Sequence, residues 1–159
     1  MKQWSCIVVG ILVLMTSQVA SAQFLPGISE ITGFGGVAIN GEDKTTFGAA
    51  ITVNVTTHLG LEGEIGMLFG DKVDDIININ LDMVLNLGTG ASLVVPYIVG
   101  GAGVLNNGGT DIALNAGAGF KVFVEPSIAL RLDFRAFLTT EGGDVHDMER
   151  FYGGVHFLF

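Results

Sequence analysis

The sequence predicts an all-β chain, an eight-stranded antiparallel up-and-down barrel that crosses a membrane behind a cleaved signal peptide. Three observations predict it. Apolar residues alternate with small or polar ones at a period of two along most of the chain. The chain is 49% apolar with 24 glycines in 159 residues and a mean hydropathy of +0.58, yet past residue 22 no apolar run is long enough for a membrane helix. The alternating segments run to roughly 9–11 residues, the length of a tilted strand crossing hydrocarbon. Every backbone polar group needs a partner inside a membrane, so a greasy, non-helical, glycine-rich chain meets that demand by closing into a barrel.

The first 22 residues read as a secretory signal peptide. Lys2 supplies a basic start, residues 6–15 are almost wholly apolar, and Ala20-Ser21-Ala22 is a small-x-small cleavage site. The alternative, a retained helical anchor, needs about 20 apolar residues. Cys6 lies within this leader and does not follow the cleavage site, so the mature chain has no thiol, disulfide or cysteine metal site. The barrel domain then occupies residues 23–159.

Within it, Phe47, Ala49, Ile51, Val53 and Val55 alternate with Gly48, Ala50, Thr52 and Asn54. The same pattern recurs over residues 59–69, 77–87 and 128–135, and weaker segments at 31–39, 93–104, 112–122 and 151–159 complete eight strands. Pro96 stands near the start of its segment, where a missing N–H matters least. Residues 40–45, 70–75, 105–111 and 139–150 read as long polar links, and 56–58, 88–92 and 124–127 as tighter ones. Their alternation fits an up-and-down barrel with both termini facing the periplasm.

Alternation alone does not say which face is outside. A soluble carrier barrel keeps its apolar face in, and a membrane barrel turns it out. The polar face is mostly Gly, Ala, Thr and Asn, suited to a narrow filled interior, with Glu30 and a mixed set of charges: Glu62, Glu64, Asp82, Lys121, Arg131, Asp133 and Arg135. Aromatic residues fall where interfacial girdles belong: Phe47, Phe69 and Phe151 at one end, Tyr97, Phe120, Phe157 and Phe159 at the other. The chain ends on an alternating strand whose last residue is Phe159, a pattern like the carboxy-terminal signal read by the outer-membrane assembly machinery. These features set the apolar face outward, in the outer membrane of a Gram-negative-type bacterium.

On Gly60-Leu61-Glu62, the run from Pro96 to Gly103, Ala129-Leu130-Arg131-Leu132-Asp133 and the closing Gly153-Gly154-Val155, the chain resembles the small outer-membrane β-barrel family typified by the OmpA membrane domain. The resemblance implies an ion-pair cluster in the lumen, with Glu62 and Arg131 as the pair carried over. Lys121 departs from the pattern, since an acid is familiar on that strand. It also implies lipid, lipopolysaccharide, periplasmic chaperones and the assembly machinery as partners, and a monomer.

Charge narrows the function further. Without the leader, six bases face sixteen acids, a net charge of −10, which argues against nucleic acid. Ten of those acids and three bases, Lys44, Lys72 and Arg150, fall in the four long links, placing most of the charge outside. Asp144, His146, Asp147 and Glu149 make the last link the most ligand-like stretch, and Asp144, His146 and Asp147 are its weak candidates for a divalent cation. His58 and His156 have no evident serine or acid partner in sequence. No cofactor motif is present, since the Gly-x-Gly runs lie within strands rather than at a strand-to-helix turn. The expectation is a non-enzymatic structural or surface-interaction barrel; the alternatives are a narrow porin-like channel, an outer-membrane lipid-modifying enzyme and a soluble periplasmic carrier.

Overall fold

The computed structural model describes residues 27–40, 42–70, 73–88, 92–106, 109–141 and 144–159; the expected signal peptide lies outside them. The chain forms eight strands: β1 (Ser29–Asn40), β2 (Glu42–Asn54), β3 (Leu59–Gly70), β4 (Val73–Asn86), β5 (Val94–Asn106), β6 (Thr110–Glu125), β7 (Ile128–Glu141) and β8 (Asp144–Leu158). Each pairs antiparallel with its neighbours in sequence, and β1 pairs with β8, closing the barrel. The described residues contain no helix.

The register fixes the barrel's shape. Stepping from partner to partner once around the ladder from Glu149 arrives at Phe159, ten residues further along β8. An offset of that size over eight strands tilts them about 40–45° from the barrel axis and leaves an interior that side chains can fill.

The period of two becomes two faces. Ile77, Ile79, Leu81, Met83 and Leu85 of β4 point outward and are exposed, while Asn78, Asn80, Asp82 and Val84 are buried inside. The same holds around the barrel: thirty large apolar side chains among the described residues are exposed, and Glu62, Lys121, Arg131, Arg135 and Arg150 are 0% exposed. The apolar face is outside.

The lumen is layered. At the end far from the termini, Leu68, Ile76, Leu105, Phe137 and Met148 form an apolar cluster. At the terminal end Val95, Phe123 and Ala129 pack with Leu158. The carboxylates of Glu30, Glu62, Glu64, Asp82 and Asp133 and their basic partners lie between these two clusters.

The connections differ from expectation. The four links read as long are one to three residues each, at residues 41, 71–72, 107–109 and 142–143. The longer ones, at 55–58 and 87–93, lie at the terminal end. Strands run to 12–16 residues rather than 9–11. The reason is physical. Asp, Asn, Thr and Gly in 40–45 and 139–150 resemble loop residues, yet they continue the ladder beyond the apolar band, where Asp43, Asp147 and Glu149 point outward into solvent.

Candidate functional site

The lumenal charge cluster is assembled from β3, β4, β5, β7 and β8. Arg131 meets Glu62 in a bidentate pair, with Nη1 donating to Oε2 at 2.5 Å and Nη2 to Oε1 at 3.1 Å. Its Nε donates to the Tyr97 hydroxyl at 2.8 Å, and that hydroxyl donates to Asp133 Oδ2 at 2.5 Å. Arg135 sits at the hub. It donates to Asp82 Oδ2 at 2.5 Å, Glu62 Oε1 at 2.7 Å and Asp133 Oδ1 at 2.9 Å, and lies 3.4 Å from Glu64. Arg150 grips Glu64 through both terminal nitrogens at 2.7 and 2.8 Å, its guanidinium flanked by the Tyr152, Phe34 and Phe137 rings.

Neutral groups supply further hydrogen bonds. Thr52 donates to Glu62 at 2.7 Å, Asn115 to Asp82 at 2.7 Å, and Asn78 and Asn80 both donate to Glu64 Oε1. Charges in a dry interior persist only when paired and hydrogen-bonded, and here each carboxylate has several donors.

A second, smaller cluster lies nearer the terminal end. Lys121 Nζ donates to Glu30 Oε2 at 2.7 Å, and Asn54 donates to Glu30 Oε1 at 2.7 Å. His156 Nε2 stands 3.0 Å from Glu30, and its Nδ1 is 2.8 Å from Thr32 Oγ1. The ring is thus hydrogen-bonded to Thr32 through Nδ1, while Nε2 lies close to the Glu30 carboxylate without hydrogen-bond geometry.

The seven charged residues named from sequence therefore meet in the lumen, six around Arg131 and Arg135 and Lys121 with Glu30. Four other residues differ from expectation. Tyr97, expected in the outward aromatic set, is 1% exposed and points inward. Pro96 and Ile98 take the outward positions instead, because β5 is apolar or small on both faces and its parity is ambiguous in sequence. Arg150, expected in an external link, is lumenal. It shares parity with Tyr152 and His156, and that spacing was the signal for it. Lys44, also assigned to a link, is buried on the inner face of β2. His156, expected without partners, has Thr32 and Glu30, which arrive from β1 across the closing seam.

Phe47, Phe120, Phe151, Phe157 and Phe159 are exposed on the outer face, and Phe69 stacks on Phe47 at 4.9 Å. Asp147 is exposed on β8 rather than in a link, and the side chains of Asp144 and His146 lie outside the described ones.

Among the described residues, the grouping able to ligate a cation is Glu62, Glu64 and Asp82, whose carboxylate oxygens come within 4.8 Å of one another. The cation among them is the Arg135 guanidinium.

No family model and no curated protein matches the chain. Solved structures do. The N-terminal β-barrel domain of OprF from Pseudomonas aeruginosa aligns with a TM-score of 0.69 at 21% identity, over 84% of this chain and 98% of that one. Neisserial surface protein A aligns at 0.67 and 15% identity, over 83% and 96%. The outer membrane enzyme PagL aligns at 0.54 and 14%, over 80% and 98%. One fold thus carries an enzyme and a surface protein alike, and what these likenesses establish is that fold: a closed, eight-stranded antiparallel β-barrel of the outer-membrane type.

Proposed function

We propose that the chain is an integral outer-membrane protein with a structural, non-enzymatic role, its termini toward the periplasm and its lumen plugged. The observation that carries this reading is the inversion of the barrel: a continuous apolar exterior around an interior where Glu62, Glu64, Asp82 and Asp133 are paired with Arg131, Arg135 and Arg150. Such an exterior is costly in water and favourable in lipid. Outer-membrane lipid and lipopolysaccharide are then its immediate surroundings, and Phe159, exposed at the end of the chain, is the residue the assembly machinery would read. The distal connections of one to three residues leave little chain to grip a large partner, which favours the structural role over surface recognition.

Two observations weigh against the other roles. Apolar clusters pack inside the barrel toward both ends, which favours a closed lumen and a silent planar bilayer. Single-channel steps that change on neutralising Glu62 or Arg131 would favour the conductor. The hydroxyl–imidazole–carboxylate set of Thr32, His156 and Glu30 has the partners of a catalytic triad, but all three are 0% exposed and Glu30 is already held by Lys121, so no substrate reaches it.

The test is fractionation of a Gram-negative host expressing the full chain, with gels of heated and unheated samples. The proposal expects protein in the detergent-extracted outer-membrane fraction and a mobility shift on boiling. Soluble protein with unchanged mobility would overturn it.

A further inference from the structure

The smaller cluster near the terminal end holds an amine and a carboxamide on one carboxylate. Lys121 Nζ donates to Glu30 Oε2 and Asn54 Nδ2 to Glu30 Oε1, each at 2.7 Å. The three arrive from β6, β1 and β2, and all are buried: Lys121 and Glu30 are 0% exposed and Asn54 1%. Toward the chain ends, Val95, Phe123, Ala129 and Leu158 pack together. The register sets two of these against the cluster, Val95 opposite Lys121 and Leu158 opposite Glu30. The Asn54 Oδ1, buried with the rest, has no hydrogen-bond partner.

An amine and a carboxamide gathered by one acid in a dry interior are the ingredients of a self-made cross-link. We infer that, in the folded barrel, Lys121 Nζ and Asn54 Cγ join in an isopeptide bond with release of ammonia, Glu30 carrying the protons. The carboxylate holds amine and amide as neighbours on its two oxygens, which turns a bimolecular reaction into an intramolecular one. Lys121 has a flexible four-carbon stem, so Nζ has only to leave Oε2 and lean toward the amide carbon.

The reaction needs no other reactant. A proton first passes from Nζ to Glu30, leaving an amine and an acid that need no water to solvate them. A half-turn of the Asn54 amide then presents its partnerless oxygen to the Glu30 hydroxyl, which draws electrons from Cγ. The Nζ lone pair attacks Cγ, the Nζ–Cγ bond forms and the Cγ–Nδ2 bond breaks, with Glu30 relaying a proton from Nζ to the leaving nitrogen. Of the three hydrogens on Nζ and two on Nδ2, one stays on the new amide, three leave as ammonia and one remains on Glu30. Nothing is oxidised or reduced. The bond ties β2 to β6 across the lumen. Freshly refolded chain still holds the plain ion pair, so losing Lys121 at that stage removes one hydrogen-bond donor; the joined chain adds a tether that denaturant and boiling leave intact.

The full chain, refolded in detergent micelles, is sampled at refolding and after a week, beside chain kept in urea; each sample is then unfolded and digested with trypsin. Trypsin cuts after lysine, so unjoined protein yields residues 45–72 and 73–121 as separate peptides. A joined Lys121 resists cleavage. Residues 45–72 should then appear linked to 73–131, lighter by one ammonia, with fragment ions placing the bond between Asn54 and Lys121. The free 73–121 peptide should fall at least twofold over the week in the folded sample and stay constant in urea. The linked peptide is read rather than ammonia loss alone, because Asn107-Gly108 can also shed ammonia by closing to a succinimide. Glu30→Gln keeps the side chain's shape but cannot relay the proton, and it should stay unjoined in a barrel whose unheated gel band matches the parent's. No linked peptide in the folded parent after a week overturns the bond. Equal linkage in urea overturns the part played by the fold, and linkage in Glu30→Gln overturns the part played by Glu30. Where Glu30→Gln does not fold, the parent's linked peptide, present or absent, decides.

Discussion

Gly119 and Gly33 lie in the same sheet and face opposite ways. A Cβ on Gly119, which faces inward, would come within 2.2 Å of the Leu132 carbonyl and 2.4 Å of the Tyr97 hydroxyl. One on Gly33, which faces outward, would meet nothing within 4 Å. The contrast recurs. Inward Gly117 abuts Arg135, Gly101 abuts Asp82 and Gly36 abuts Tyr152, each with a would-be contact under 3 Å, while outward Gly63 is open. Each inward glycine clears space for a large polar or aromatic side chain on the neighbouring strand. The lumen is thus packed to contact, and the glycines are part of how the ion pairs fit. On the lipid face glycine meets no such demand, because lipid conforms to whatever surface it meets.

This difference between a rigid inside and a permissive outside can be broken by mutation. The largest effect should come from Arg135→Met, which leaves Glu62, Glu64, Asp82 and Asp133 short of their shared cation. Removing one partner of a buried pair costs about 3–5 kcal/mol. Urea unfolding in lipid vesicles, followed by the heat-sensitive gel shift, reads the loss; a cost below about 1 kcal/mol would mean that water screens the lumen. Lys121→Met comes next. It strips Glu30 of one donor but leaves the Asn54 amide and the nearby His156 ring, so about 1–3 kcal/mol is expected on the same titration. Gly119→Ala should cost a similar ~1–3 kcal/mol by overpacking, and trimming the facing ring with Tyr97→Phe should recover part of it, which a double-mutant cycle would show. The smallest effect belongs to Gly33→Ala and Gly63→Ala, expected within about 0.5 kcal/mol of the parent, as for exposed sites generally.

The strongest sequence signals came from strands with one clearly apolar face. The inward set of β7, Arg131, Asp133 and Arg135, could be read directly because Leu130, Leu132 and Phe134 alternate with it. On β5 both faces are apolar or small, so nothing local told Tyr97 from Ile98. What decides it is nonlocal: Arg131 and Asp133 need a hydroxyl between them, and only the register of β5 on β6 and β6 on β7 brings it there. The distal strand ends were hidden for a different reason. Above the hydrocarbon an outward strand position takes Asp or Glu as readily as a loop does, so composition lost the ladder where the solvent changed. The Glu30–His156–Thr32 contacts depend on closure of β1 on β8, across 124 residues between Thr32 and His156, and no local pattern carries that information.

The apolar face looks out and the charged face lies within. Nitroxide labels placed singly along β4, from Ile76 to Leu85, test it most directly in the refolded barrel. Accessibility to dissolved oxygen should rise at 77, 79, 81, 83 and 85 and fall at the residues between, with the inner positions also shielded from a water-soluble relaxing agent. The opposite phase, with the water-soluble agent reaching 77, 79 and 81, would contradict it.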